Sequence, residues 1–210
     1  MSTTKQDPNR RTRVALVLTA GVVAALALAG CSSGGNDSLA NQYGKGTTQN
    51  YISGDGAVTE VAAGKRGAPV DFRATTIDGD TVSSAGLEGK VVVLNFWYAG
   101  CPPCRAEAGN LNKVYTSHIG DDVQFIGVNV RDQKASAEAF ERTFKVRYPT
   151  VLDADDGTMQ LALSGTIAPN SVPTTIVLDK QGRVAARILG AVDSPSILDT
   201  LVSDELSGSA

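Results

Sequence analysis

Histidine and cysteine are scarce in this chain of 210 residues, which contains one histidine and three cysteines. A zinc site needs three or four protein ligands. Apart from the neighbouring Cys101 and Cys104, the chain offers only His118 and the distant Cys31. The acidic residues at 153–156 lack the ligand spacing and the closing glutamate of a calcium loop. We therefore expect no bound metal and no cofactor beyond a redox-active disulfide between Cys101 and Cys104.

Positive charge is also scarce once the start of the chain is set aside. Four of the 19 basic residues and one of the 22 acidic residues lie among the first thirty, which leaves 15 basic and 21 acidic residues and a formal charge of −6. A surface of this sign repels phosphate backbones and anionic lipid headgroups. The charge balance therefore predicts that the protein has no nucleic-acid partner.

Long apolar runs are missing except at residues 14–29, which follow a basic start. A spanning helix needs about 20 apolar residues, and this shorter run has the layout of a secretory signal. It ends in small residues before Cys31, which resembles a bacterial lipoprotein cleavage site. We predict a lipoprotein signal peptide over residues 1–30 and a lipid on Cys31, which holds the protein at the extracytoplasmic face of the cell membrane. An uncleaved signal anchor is the alternative.

Large apolar residues are sparse again after Cys31, where Gly, Ser, Asn, Thr and Gln predominate. This composition is typical of a flexible linker, and about 35 such residues span roughly 30 to 35 Å on average. We predict a tether over residues 31–66. An ordered N-terminal strand marked by Tyr43, Tyr51 and Ile52 is the alternative.

The chain does contain a cysteine pair at the point where an apolar run gives way to helical spacing. Residues 91–96 have the composition of a strand buried on both faces, and Cys101 and Cys104 follow, separated by two prolines. Positions i and i+3 of a helix lie roughly 5 to 6 Å apart, which suits a disulfide. The pair therefore predicts a redox function, and half a zinc site or a structural disulfide are the alternatives.

The position of each cysteine on the predicted helix distinguishes the two sulfurs. The unpaired N–H groups and the positive dipole end at the helix start favour a thiolate at Cys101, and Pro103 fits the first turn, where a missing N–H costs nothing. A lowered thiol pKa makes a cysteine the attacking sulfur. We predict that Cys101 is the nucleophile and that Cys104 resolves the mixed disulfide.

Strand and helix signals alternate along the rest of the chain. An Asp-Gly turn between residues 73–77 and 81–82 is typical of a hairpin. The last helix is expected to begin with Ser194 as its cap and Pro195 at its first position. Further strands are predicted at 123–130, 148–152, 174–178 and 184–189, and helices over 101–118, 135–146 and 159–163. This alternation predicts an α/β sheet covered on both faces.

The residues around the cysteines resemble the thioredoxin superfamily, and specifically its TlpA-type branch of membrane-anchored thiol-disulfide oxidoreductases. The resemblance rests on Phe96 and Trp97 before the pair and on Arg105 and Glu107 after it, and it extends over about residues 66–205. It implies a thioredoxin fold with an N-terminal β-hairpin extension and a central helix-strand insertion. The thioredoxin-like domain is then expected at residues 67–210, with the insertion at 133–152.

The resemblance also implies roles for single residues. Pro173 is expected to be a cis-proline facing the disulfide, so that the Val172 backbone pairs with a bound peptide. Glu107 stands at the position of a family glutamate that resembles a proton relay for the second cysteine, here Cys104. The simpler alternative is that Glu107 is an acid in the first turn of the helix that interacts with the helix dipole. Trp97 and Tyr98 either shape the substrate groove or pack at the strand end. The candidate substrate-binding residues are Trp97, Pro102, Pro103, Val172 and Pro173.

Three positions depart from the pattern of this family. Gly100 stands where a tryptophan commonly precedes the first cysteine, and Gly109 where a helix-kinking proline is frequent. Asn95 occupies the position of the buried aspartate of thioredoxins proper. Without the bulky aromatic, we expect the Cys101 sulfur to be more exposed.

The resemblance implies a membrane-anchored thiol-disulfide oxidoreductase. Relatives of this branch are mostly reductants that draw electrons from a membrane thiol carrier and reduce apocytochrome c or other exported proteins with cysteines. The direction of electron flow does not follow from the residues, so a disulfide-forming oxidase of the same fold is an alternative. A peroxide-reducing enzyme and a non-enzymatic binding lipoprotein are the others.

Overall fold

A six-stranded mixed sheet organises residues 57–165 and 171–208, which the computed structural model describes. Its strand order is β1-β8-β7-β4-β5-β6, and β2 and β3 form a separate hairpin. The strands are β1 (Ala57–Glu60), β2 (Arg73–Thr75), β3 (Thr81–Ser83), β4 (Val91–Trp97), β5 (Val123–Asn129), β6 (Thr150–Leu152), β7 (Thr174–Leu178) and β8 (Val184–Leu189). The helices are α1 (Pro102–Ser117), α2 (Lys134–Phe144), α3 (Thr158–Ala162) and α4 (Pro195–Ser207).

The central strand β4 is buried along its whole length. It pairs in parallel with β5 and antiparallel with β7. Because side chains alternate across a strand, Val91 and Val93 pack with α1 and α4, whereas Val92, Leu94 and Phe96 pack on the opposite face. The predicted sheet covered on both faces is therefore confirmed.

The second face of the sheet is covered by α2, α3 and the β2–β3 hairpin. The hairpin forms as predicted, with Gly79 at φ +96° in its turn, a conformation that glycine adopts readily. Helix α2 and strand β6 form the predicted helix-strand insertion, and β6 extends the sheet beside β5. These covering elements and the loops beside them contribute large buried side chains to this face, among them Phe72, Ile77, Phe140 and Met159.

The ordered domain begins earlier than residue 67. Strand β1 pairs antiparallel with β8, from Ala57 opposite Leu189 to Glu60 opposite Ala186. The tether prediction is therefore wrong for residues 57–66. Composition gave no sign of this strand, because an edge strand is held by backbone hydrogen bonds that need no particular side chains.

Arg66 attaches the end of this N-terminal segment to the domain. Its guanidinium lies 3.0 Å from the Asp179 carboxylate and 2.7 Å from that of Glu205, and its side chain is only 4% exposed. Its Nε also donates to the carbonyl of Val61 at 2.9 Å. The two acidic partners lie 113 and 139 residues further along the chain, so local sequence could not reveal them.

The predicted signal peptide, Cys31 and the tether from 31 to 56 lie outside the described residues, as do Tyr43, Tyr51 and Ile52. Within the described part, no helix is long and apolar enough to cross a membrane.

The last helix begins at Pro195, with Ser194 at the cap position as predicted. The Ser194 side chain does not cap the helix, however. Its hydroxyl lies 2.7 Å from the Ser196 hydroxyl and makes no hydrogen bond to the N–H groups of the first turn.

Candidate active site

A disulfide joins Cys101 and Cys104 where β4 leads into α1. The two Cα atoms are 5.3 Å apart and the sulfurs 2.01 Å, which agrees with the separation expected from the i,i+3 spacing. Cys101 is the N-cap residue of α1, and the two prolines occupy the first helical positions. Pro102 is exposed and Pro103 half-buried.

The two sulfurs have different electrostatic environments at the start of α1. The N–H of Cys104 points at the Cys101 Sγ at 3.2 Å, so Cys101 accepts one of the N–H groups that the first turn leaves unpaired. A negative charge on this sulfur also lies at the positive end of the helix dipole. The geometry supports the prediction that Cys101 is the more stable thiolate.

Both cysteines are buried, Cys101 at 0% and Cys104 at 2% exposure. The expectation that Gly100 leaves the Cys101 sulfur more exposed is therefore wrong. Attack on the disulfide requires the side chains around it to move.

The residue that occupies the space beside Gly100 is Tyr98. A Cβ at Gly100 would lie 3.3 Å from the Tyr98 ring, and Tyr98 belongs to the same buried cluster as the two cysteines. The Arg131 guanidinium stacks on the outer side of this ring, 4.2 Å from its centroid.

Glu107 lies on the buried side of α1, one turn after Cys104, and is 1% exposed. Its Oε1 accepts a hydrogen bond from the Asn95 amide at 2.9 Å, and its Oε2 accepts one from the Val192 N–H at 2.8 Å. The Asn95 amide also donates to the Thr175 hydroxyl at 3.2 Å. Asn95 of β4, itself bonded to Thr175 of β7, and Val192 in the loop before α4 therefore hold the carboxyl of Glu107 in one position.

The surroundings keep the Glu107 carboxyl mostly protonated at neutral pH, with a minor ionised fraction. Burial raises the pKa of Glu107 to about 8, although hydrogen bonds from the Val192 N–H and the Asn95 amide lower it in part. Asn95, by contrast, cannot ionise. The local network therefore contains a single titrating carboxyl, consistent with the sequence-based choice of Glu107.

The Val172–Pro173 peptide bond is cis, as predicted. Thr174 pairs with Phe96 across β7 and β4, so Pro173 lies at the edge of the sheet where β4 ends and the disulfide follows. Val172 is 2% exposed and packs in the same cluster as the cysteines. The sheet register thus places the predicted peptide-binding residues on the disulfide side.

Trp97 is 3% exposed, and its ring lies 4.2 Å from that of Phe140 in α2. Its indole nitrogen is 3.0 Å from where a Cβ of Gly127 would be. These contacts favour the packing alternative for Trp97 over direct contact with substrate.

Two polar residues after β5 complete the surroundings of the disulfide, and the sequence analysis missed both. Asp132 accepts hydrogen bonds from the Ala99 N–H at 2.5 Å and from the Asn129 amide at 2.8 Å. Arg131 stacks on Tyr98 as described. The only local signal was a pair of polar residues following a strand parallel to β4, since the carboxyl ends of parallel strands meet at one edge.

The described residues contain no cluster of candidate metal ligands. Within residues 57–165 and 171–208, no group of three or more His, Cys, Asp or Glu side chains is arranged to hold a metal ion. His118 instead lies between Asp121 and Asp199, 3.0 Å from each carboxylate, and joins the end of α1 to α4.

Comparisons with known proteins agree with this geometry. A model of the AhpC/TSA family matches residues 66–187. The thiol-disulfide oxidoreductase ResA of Geobacillus kaustophilus is 34% identical over 139 residues, which are 66% of this chain and 76% of the relative.

Two solved structures are similar over most of their length. A thiol:disulfide interchange protein of the thioredoxin family from Chlorobium tepidum has a TM-score of 0.62 at 28% identity, covering 69% of this chain and 99% of that one. A secreted thiol-disulfide isomerase from Corynebacterium glutamicum has a TM-score of 0.62 at 31% identity, covering 72% and 96%. The predicted thioredoxin-like α/β fold is therefore confirmed, whereas the TlpA-type assignment stays a prediction.

Proposed function

Because the chain belongs to the AhpC/TSA family, we propose that its Cys101–Cys104 pair works as a membrane-anchored reductant of disulfides in exported proteins. The general activity, that of a thiol-disulfide oxidoreductase, follows from its similarity to the ResA enzymes. The observation that carries the proposal is the disulfide on the first turn of α1, where one cysteine accepts the N–H of the other.

The reaction has two exchange steps. The Cys101 thiolate attacks one sulfur of the substrate disulfide, so a mixed disulfide forms and the other substrate sulfur leaves as a thiolate, which takes up a proton. Cys104 then loses its proton and attacks the Cys101 sulfur, and the second substrate thiolate leaves. The substrate gains two electrons, and the protein ends in the disulfide form of the structure. A dithiol on a membrane carrier then reduces the pair again.

Glu107, in the molecules in which its carboxyl is ionised, is proposed to take the proton from Cys104 in the second step. It follows Cys104 by one helical turn on the buried side of α1, and its raised pKa of about 8 is near that of an ordinary thiol. A proton then passes between groups of similar affinity, which is the condition for efficient acid–base transfer. Peptide substrates are proposed to pair with the Val172 backbone beside Pro173 and to contact the exposed Pro102 and Pro103.

The location is proposed from the N-terminal residues. A signal peptide over 1–30 and a lipid on Cys31 would hold the domain at the extracytoplasmic membrane face, near exported proteins such as apocytochrome c. The similarity to a secreted isomerase supports an extracytoplasmic location. The mass of the mature protein, compared between the wild type and Cys31→Ala, tests the lipid directly.

The Cys104→Ser variant tests the proposed exchange. With the resolving thiol removed, the variant is expected to accumulate mixed disulfides with exported proteins through Cys101, visible as adducts that a reductant dissolves. Cys101→Ser is the matched control and is expected to form few adducts. Stable adducts in the Cys101→Ser variant alone would reverse the two roles, and adducts in neither variant would contradict the exchange activity.

The direction of electron flow is tested by the reduction potential. A reductant is expected near the thioredoxin value of about −270 mV in a glutathione buffer, whereas a strong oxidant lies near −120 mV. A value close to the oxidising end would support the disulfide-forming alternative. Peroxide consumption by the reduced protein, with no exchange with disulfides, would support the peroxidase alternative.

A further inference from the structure

Two arginines flank the disulfide, and the exchange chemistry does not use either. Arg105 is one helical turn after Cys101, and Arg131 follows the end of β5. Both side chains are exposed. Each is held in place by an aromatic ring.

Arg131 is held over the Tyr98 ring at 4.2 Å from its centroid, and this ring lies against Gly100. Arg105 lies 5.2 Å from the centroid of Phe144, the last residue of α2, and its Nη1 donates to the Ala99 carbonyl at 3.4 Å. Both guanidinium groups therefore contact the segment that leads into Cys101. Stacking of this kind restricts a flexible side chain while its N–H groups remain available to a carboxylate.

The neighbouring acidic groups leave this positive charge in excess at the rim of the site. The Asp132 carboxylate accepts hydrogen bonds from the Ala99 N–H and the Asn129 amide and offsets one of the two guanidinium charges, whereas Glu107 is buried and mostly protonated at neutral pH. The chain after residue 30 nevertheless carries a formal charge of −6. The two exposed cations beside the disulfide thus have the opposite sign to the net charge of the chain.

We propose that Arg105 and Arg131 form a cationic rim that selects substrates in which acidic residues flank the reactive cysteine. The proposal rests on the exchange activity proposed above and adds a specificity to it. Guanidinium groups bind carboxylates in a planar, two-point geometry, and opposite charge at a binding cleft raises the rate of encounter. The expected effect is a roughly tenfold faster reaction with an acidic than with a basic substrate at low ionic strength.

Three synthetic peptides test this specificity. Each contains one cysteine joined by a disulfide to thionitrobenzoate, and the residues flanking the cysteine are glutamates, lysines or alanines. The reduced protein is mixed with each peptide, and the second-order rate constant is measured from the release of the coloured thiol. The wild type is expected to prefer the glutamate peptide over the lysine peptide about tenfold, and added salt is expected to reduce this ratio.

The double variant Arg105→Gln, Arg131→Gln is expected to lose most of the preference. The rate with each charged peptide is divided by the rate with the alanine peptide, so a change in the reactivity of the Cys101 thiolate cancels. Arg73→Gln, Lys113→Gln is the matched control, because it removes two exposed cations elsewhere and is expected to keep the preference.

The outcomes separate this inference from the function on which it rests. A wild type that reacts with all three peptides at equal rates, or a double variant that keeps its preference, would overturn the specificity alone. The same holds if the control variant loses the preference to the same extent, since the effect would then come from overall charge. Absence of reaction with every peptide would overturn the exchange activity and the specificity together.

Discussion

At the scale of single residues, Glu107 has the most unusual environment in the described structure. A carboxyl that is 1% exposed accepts two hydrogen bonds, from Asn95 and Val192, yet has no cationic partner among the groups that affect its pKa. Desolvation therefore dominates, and the pKa of Glu107 rises to about 8. The folded protein binds a proton at this site at pH values where the unfolded chain has already lost it.

This difference predicts how stability depends on pH. Between the ordinary glutamate value of 4.5 and about 8, the folded state holds a proton that the unfolded state lacks, so the free energy of unfolding falls as pH rises through this window. The stabilisation is fully present below 4.5 and lost above about 8. In Glu107→Gln the side chain cannot titrate, and the decline across this window is expected to flatten. Urea unfolding at several pH values within the window measures it.

The exposed Glu88→Gln substitution is the control, and its pH dependence is expected to match the wild type.

The same Glu107→Gln variant also tests the proton relay. Its resolution step, followed as decay of a preformed mixed disulfide, is expected to slow about a hundredfold, the lower range of general acid–base contributions. A variant that resolves at the wild-type rate would leave Glu107 with a structural role only.

At the scale of elements, two glycines in neighbouring elements have opposite requirements. Gly109 lies inside α1, and an added Cβ would meet nothing within 4 Å. Gly127 lies inside β5, where an added Cβ would lie 2.5 Å from the Thr150 hydroxyl oxygen and 3.0 Å from the Trp97 indole nitrogen. A larger residue would therefore fit at position 109, whereas glycine at position 127 lets β5 lie close to the side chains of β4 and β6.

The two alanine variants are therefore expected to change stability in opposite directions. Gly109→Ala should stabilise the protein by up to about 1 kcal/mol, because alanine loses less backbone entropy in a helix. Gly127→Ala should destabilise it by about 1 to 3 kcal/mol through overpacking. Denaturant midpoints at a constant slope measure both. A neutral Gly127→Ala variant would show that Thr150 and Trp97 move aside without strain.

The elements that the sequence predicted well are those with strong local signals. Strand β4 is marked by its apolar composition, the β2–β3 hairpin by its Asp-Gly turn, and α1 by the proline-containing cysteine pair, and all three lie within a residue or two of the expected positions. Strand β1 has no such signal, because its backbone pairing with β8 depends on a partner more than 120 residues away.

Candidate site residues follow the same division. The cysteines were identified by their spacing at the start of a predicted helix, and Glu107 and Pro173 because they belong to a family pattern. The structure gives each a definite place around the end of β4. The aromatic contact at Gly100 and the stacking of Arg131 could not be predicted, since they depend on Tyr98 and on a loop 30 residues later meeting in space.

At the scale of the whole molecule, a buried ion cluster joins distant parts of the chain. Arg66 binds Asp179 at the turn after β7 and Glu205 in α4, and all three side chains are at most 8% exposed. Burial alone would raise the pKa of Asp179, but hydrogen bonds from the Arg183 backbone and from Arg66 hold it below its usual value. Asp179 also pairs with the Arg183 side chain at 2.8 Å, whereas Glu205 pairs with Arg66, so Glu205 is the carboxylate that depends more on Arg66.

Removal of this cation is expected to destabilise the fold as a whole. Arg66→Met should lower the free energy of unfolding by about 3 kcal/mol or more, because it leaves the buried Glu205 carboxylate without its partner and Asp179 with Arg183 alone. The loss should show in the midpoint of a cooperative urea transition, with exposed Arg73→Met as the control. A loss below about 1 kcal/mol would mean that water or Arg183 replaces the missing guanidinium.

The direction of β1 has a mechanical consequence for any anchor upstream of it. Ala57 pairs with Leu189, Leu189 with Thr174, and Thr174 with Phe96, so the chain joins the sheet at the edge where β4 ends. Three strand spacings, roughly 14 Å, separate this entry point from the end of β4, which leads to the disulfide. A membrane attachment upstream of β1 would therefore hold the domain at a point close to the end that carries the disulfide. If the proposed lipid on Cys31 attaches the protein to a membrane, rotation of the domain about Ala57 leaves the distance between the disulfide and that point nearly unchanged, and the length of the chain before Ala57 limits how far from the membrane the sulfurs can lie.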